Sequence, residues 1–120
     1  MKLVVTAEAA SWDARVDPRF GRAPVFALVD TETRELTGID NSRGVAAGQG
    51  AGAQAAAAVC RAGATAVLTG HCGPKAFAAL AAGGVRVFTG AAGTVAEAVE
   101  SFAAGTLVEA RAADVDGHWA

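Results

Sequence analysis

Charge is scarce in this chain and no sign of it dominates. Ten Lys and Arg against twelve Asp and Glu leave a formal net charge of −2 over 120 residues. There is no basic footprint, so phosphate-backbone binding has little electrostatic drive and nucleic acid is not expected as a partner. Cysteine is also scarce: Cys60 and Cys72 are too few for a disulfide framework. The apolar start Leu3-Val4-Val5 is too short for a signal-peptide core, so the cytoplasm is the expected compartment. Charges and glycine clusters interrupt every apolar stretch before it reaches the roughly 18 residues a membrane span needs. With 52% hydrophobic residues the chain can bury one core, but it is too short for two ordinary domains. One domain is expected over residues 1–105, followed by a tail over 106–120.

What is present is a strand-rich first half and an alternating second half. Lys2 to Thr6 is a β-branched run suited to a strand, and Ala7 to Arg15 reads as loop. The segment Val16-Asp17-Pro18-Arg19-Phe20-Gly21-Arg22-Ala23-Pro24 carries two prolines and a glycine, which rule out a regular element. Val25 to Asp30 and Glu35 to Asp40 then form an antiparallel hairpin. After the glycine-rich loop Gly48 to Gly52, alanine favours a helix over Ala53–Ala62, with Ala53, Ala56 and Cys60 as its inward stripe. Strand four is Ala66 to Thr69. The second helix runs from Pro74 to Ala82, with Phe77, Leu80 and Ala81 inward. Val85 to Phe88 is strand five. Thr94-Val95-Ala96-Glu97 is a capping box opening a third helix on the stripe Val95, Ala98, Val99 and Phe102. In the tail, Leu107 to Ala110 is at most a short extended piece. The pattern implies an α/β three-layer sandwich with a mixed sheet and right-handed crossovers.

Ligands in such sheets lie outside the carboxyl ends of the parallel strands. Those ends carry Thr6-Ala7-Glu8, Gly70-His71-Cys72 and Thr89-Gly90-Ala91. His71 and Cys72 sit on a strand-to-helix turn, since Pro74 suits the first helical position. The partial positive charge at that helix start favours a thiolate at Cys72 or a bound anionic metal centre. Thiolate suits iron-sulfur or copper, and imidazole suits several transition metals. Arg19 and Arg22 can donate forked hydrogen bonds to an anionic cluster, or can hold their loop by pairing with Asp17 or Asp30. Gly48 to Gly52 can place backbone amides on an anion, although flexibility alone also explains it. His118-Trp119 can fold back over the site or remain a solvated tail.

These residues together resemble the nitrogenase accessory factor family, also described as the dinitrogenase iron-molybdenum cofactor biosynthesis family. Its members are NifX-like and NafY-like carriers and the C-terminal domain of NifB-like proteins. The resemblance rests on Val16 to Pro24, on Asp40-Asn41, on Gly48 to Gly52 with Gln54-Ala55-Ala56, on Thr69-Gly70 before Gly73-Pro74-Lys75-Ala76-Phe77, and on Gly90 to Val95 with Glu97-Ala98. It implies a ribonuclease-H-like motif with a five-stranded sheet of order 3-2-1-4-5. It further implies a non-enzymatic carrier of an iron-sulfur or molybdenum-iron-sulfur cluster, working with cluster donor and acceptor proteins. Relatives outside nitrogen fixation include a molybdenum-copper-sulfur cluster binder. On this chain the candidate cofactor contacts are Arg19, Phe20, Gly21, Arg22, Asn41, Gly48, Gly50, Gly52 and Gly73, and the candidate metal ligands are His71 and Cys72, a pair at which family members vary.

Rival classes find less support. A nuclease of ribonuclease-H type needs carboxylates holding two metal ions, one of them from strand one, which offers only Glu8 beyond its end. Cys72 as a nucleophile lacks a suitable base, because His71 is its immediate neighbour. A phosphatase loop would need an arginine where Ala78 stands. A small interaction module that binds no metal is the remaining alternative.

Overall fold

A strand that is apolar at successive positions must be covered on both faces, and β1 (Lys2–Ala7) is covered on both. Leu3, Val4, Val5 and Ala7 are all fully buried. The computed structural model describes residues 1–42 and 50–113, and in it β1 lies at the centre of a mixed sheet. On one side β1 pairs antiparallel with β2 (Val25–Asp30), Lys2 opposite Asp30 and Ala7 opposite Val25, and β2 pairs antiparallel with β3 (Leu36–Asp40). On the other side β1 pairs parallel with β4 (Ala66–Leu68), which pairs parallel with β5 (Arg86–Thr89).

The order is β3-β2-β1-β4-β5, as expected, with one addition. The extended piece in the tail is a sixth strand, β6 (Val108–Glu109), antiparallel to β5. Arg86 on β5 holds it by donating to both Glu109 carboxylate oxygens at 3.1 and 2.6 Å. That pairing raises the pKa of Arg86 and lowers that of Glu109. A two-residue strand carries almost no periodicity, which is why its pairing was invisible in the sequence.

Three helices flank the sheet among the described residues: α1 (Ala51–Arg61), α2 (Pro74–Ala82) and α3 (Val95–Ala103). With a 3-10 turn over Phe20–Arg22, α1 and α2 cover the face that carries Val4, Phe26, Val67 and Val87. The opposite face, with Leu3, Val5, Leu68 and Phe88, is covered by α3 and by Trp12, Ala14 and Val16 of the first loop. No described helix is long and apolar enough to cross a membrane.

Two helix faces differ from expectation. The buried side of α1 is Gly52, Ala55, Ala56 and Val59, whereas Ala53 is exposed and Cys60 half-buried. Alanine at nearly every position gives the helix little preference for one phase. The phase follows the larger Val59, which is fully buried. In α2 the inward residues are Ala76 and Leu80, with Phe77 half-buried and Ala81 exposed.

The two helices of the first layer run the same way. Cys60, near the end of α1, packs so closely on Gly83, just past α2, that a Cβ at Gly83 would collide with its Sγ. Both C-termini therefore share one end of the layer, and both N-termini share the other.

Candidate functional site

The end of the sheet where the parallel strands finish is organised by main-chain contacts between the 16–22 loop and the extension of β4. His71 donates its N–H to Pro18 O at 2.7 Å, and Phe20 N–H returns to His71 O at 3.3 Å, so Arg19 and His71 form a parallel bridge. Gly70 permits this approach, because a Cβ there would lie 2.7 Å from Pro18 Cα. Arg19 is exposed, while His71 and Arg22 are half-buried. Main-chain pairing thus holds the rim segment that carries Arg19 beside His71, with Arg22 three residues further along the loop.

The rim is held by residues that the sequence reading counted as ligand contacts. Phe20 is fully buried and stacks on Phe26 with ring centroids 5.5 Å apart, so its ring anchors the loop in the core. Asn41 is also buried and donates Nδ2 to Ala23 O at 2.7 Å and to Gly21 O at 3.4 Å. Gly21 and Gly73 are buried too. Asp17 caps the turn by accepting the Arg19 N–H at Oδ1, 3.0 Å away, and Asp30 accepts the N–H groups of Glu32 and Thr33. Those two main-chain donors lower the pKa of Asp30. The expected adjacency of the arginine loop to His71 is present, but Phe20 and Asn41 support it from below.

Cys72 departs furthest from the sequence picture. It is 0% exposed, belongs to the apolar cluster with Phe20, Ala76 and Leu80, and its Sγ lies 3.7 Å from Gly73 O. Neighbouring residues on a turn point in different directions, and here His71 takes the outward one. In this conformation a metal in solvent reaches the imidazole side of the pair and not the sulfur.

The electrostatics of this end come from helix starts as well as side chains. Neither α1, which begins after Gly50 at φ +89°, nor α2, which begins after Gly73, has a side-chain cap or an acid in its first turn. Their first N–H groups form a positive end that suits an anion. Gly52 lies within the first turn of α1 and not in a loop, and the 3-10 turn packs against that helix. Lys75, exposed in the first turn of α2, adds a cation that the sequence reading passed over. Its signal was its place directly after a helix-starting proline.

The start of α3 is built differently. Thr94 Oγ1 accepts the Glu97 N–H at 3.2 Å, and Glu97 accepts the Thr94 N–H at 2.9 Å. The Thr94 N–H, with the Thr94 hydroxyl second, lowers the pKa of Glu97. Trp12 and Ala14 accept further N–H groups from Ala96 and Val95, so the first loop covers this terminus. The electropositive end is therefore confined to the face of α1 and α2. Among the described residues, no group of three or more His, Cys, Asp or Glu side chains could hold a metal ion. Gly48, His118 and Trp119 lie outside the described residues.

Comparison with known proteins places this architecture. The family described as dinitrogenase iron-molybdenum cofactor matches residues 1–105, and the chain belongs to it. The fold is similar to that of the apo form of the orange protein from Desulfovibrio gigas, with a TM-score of 0.92 and 40% identity over 95% of this chain and 96% of that one. It is similar to a candidate NifB protein from Thermotoga, with a TM-score of 0.79 and 29% identity over 90% and 91% of the two chains. A candidate dinitrogenase from Methanocaldococcus jannaschii has a TM-score of 0.71 and 11% identity over 93% and 96%, a likeness of fold alone. No curated protein matches the chain.

Proposed function

We propose that this member of the dinitrogenase iron-molybdenum cofactor family is a non-enzymatic carrier that takes up an anionic iron-sulfur or molybdenum-iron-sulfur cluster and hands it on. The observation behind this reading is the convergence, at one end of one face, of two uncapped helix starts with Arg19, Arg22, Lys75 and the partly exposed His71. The cluster is cargo. His71 is the soft ligand within its reach, while the guanidiniums, the Lys75 ammonium and the amides following Gly50 and Gly73, that of Gly52 among them, offset its negative charge.

Sparse ligation fits transfer, because a fully coordinated cage would hold the cluster too tightly to release it. Cys72 joins only if the core beneath the arginine loop opens, so it takes no part in first capture. Donor and acceptor proteins in the cytoplasm would load and unload the site. The hydrolase reading is weaker, since β1 presents no carboxylate within the strand. A metal-free interaction module would leave the two helix starts without an acid in their first turns, one of them carrying Lys75, without a purpose.

The test is anaerobic reconstitution of the purified chain with ferrous iron and sulfide, with and without molybdate, followed by metal analysis and visible charge-transfer spectra. Stoichiometric uptake is expected, weakened at least tenfold in His71→Ala and in the Arg19→Ala/Arg22→Ala pair, and retained in Cys72→Ala. A wild-type chain that stays colourless and metal-free under these conditions overturns the proposal.

A further inference from the structure

We infer that the Thr6 hydroxyl, buried beneath the rim and supported by Thr69, is a positioning group that sets Arg19 in register with His71. The functional consequence rests on the carrier reading above, but the structural one does not. Thr6 is the penultimate residue of β1 and Thr69 follows β4, both fully buried. A hydroxyl in such a place costs free energy unless it is bonded, and valine would fill the same volume without that requirement. The pair is therefore a feature to be explained.

Its geometry explains it. Thr6 Oγ1 lies 2.7 Å from Asp17 O and 2.9 Å from Thr69 Oγ1. Each hydroxyl has one proton, so with Thr6 donating to Asp17 O, Thr69 must donate to Thr6. The Asp17 N–H also donates to Thr6 O at 2.9 Å, so one strand residue grips Asp17 through both main chain and side chain. From Asp17 the order passes outward: its carboxylate accepts the Arg19 N–H at 3.0 Å, and the next residue, Pro18, accepts the His71 N–H at 2.7 Å. His71 lies two residues beyond Thr69, so the path closes on itself. Arg19 and His71 are fixed relative to each other from two strands at once.

The experiment is amide hydrogen exchange on the full chain, with cluster uptake as a second readout. Thr6→Val alone would leave the Thr69 proton without a partner, so the informative variant is Thr6→Val/Thr69→Val, in which both groups become apolar at similar shape. Its β4 amides should exchange at the wild-type rate, whereas the His71 and Phe20 amides should exchange at least tenfold faster. Thr6→Ser, which restores the donor, should return them to the wild-type rate. Uptake of the cluster assembled from ferrous iron and sulfide should weaken several-fold in the double variant and recover in Thr6→Ser. If the His71 and Phe20 amides keep their protection in the double variant, or lose it only in step with β4, the hydroxyls do no positioning and the inference falls. If those amides respond as expected but the wild-type chain takes up no cluster, the positioning stands and the carrier reading fails.

Discussion

Replacing Phe20 by alanine separates two roles for the centre of the arginine loop. The ring is fully buried and stacked on Phe26 at an interplanar angle of 14°, so it reads as an anchor and not as a contact for cargo. Full burial of such a ring is worth about 1.5–3 kcal/mol, and an aromatic pair adds about 0.5–1.5 kcal/mol. With incomplete collapse of the cavity, Phe20→Ala should cost about 3–5 kcal/mol. Against a urea m-value of about 2 kcal/mol per molar, the unfolding midpoint should fall by roughly 2 M. Cluster uptake, measured at low temperature on the fraction that remains folded, should weaken less than in His71→Ala, because the rim groups are still present. Phe20→Leu should recover more than half of the lost stability. A variant that loses under about 1 kcal/mol and yet abolishes uptake would refute the reasoning, since the ring would then be touching the cluster.

Other consequences can be measured on stability alone. Thr94→Ala removes the acceptor of the capping box and should cost about 1 kcal/mol by urea unfolding, with no change in uptake because α3 starts on the other face. The Glu97 pKa is lowered in the folded chain, so its contribution is present above the ordinary glutamate range and is lost as pH falls through the depressed folded value. Denaturation curves of Glu97→Gln should accordingly fall less steeply than wild type across that acidic window. Gly70→Ala would set a Cβ 2.8 Å from Pro18 O as well as against Pro18 Cα, so the loop must shift. A loss of about 1–3 kcal/mol and faster exchange of the His71 amide are expected.

Much of this fold could be read from the chain because its signals were local. The β-branched run of β1, the capping box at Thr94 and the glycine stops each name their element without reference to neighbours. The alanine helix was placed but its face was not, since Ala53, Ala56 and Cys60 differ too little from the residues beside them to choose a phase. The meeting of the 16–22 loop with the His71 turn could be anticipated, because loops after parallel strands gather at one end of the sheet. What it could not tell was which side chains of those segments face inward. Phe20, Asn41 and Cys72 all belong to motifs that suggest binding, yet each is buried, a fact decided by contacts with Phe26, Ala23 and Ala76 that are distant or unremarkable in sequence. Thr6 and Thr69 looked like ordinary strand residues, since their bond spans 63 positions.

The two uncapped helix starts make a prediction in which stability and binding move in opposite directions. A protein selected for stability alone would place an acid in the first turn of α2, as α3 has Glu97, but α2 carries Lys75 there. A cation at that end opposes the helix dipole, so Lys75→Glu should stabilise the fold by about 0.5 kcal/mol at low salt, within the range for first-turn charges. The same change exchanges a positive charge for a negative one at the start of α2, and should weaken uptake of an anionic cluster by tenfold or more, an effect that shrinks as salt is raised. Lys75→Gln should fall between wild type and Lys75→Glu on both scales. Ordinary damage lowers stability and binding together, so a rise in the urea midpoint accompanied by a salt-sensitive loss of uptake has no structural explanation other than an electropositive end kept open for its cargo. If Lys75→Glu instead binds the cluster like wild type, the helix start of α2 is not part of the site and the charge argument fails there.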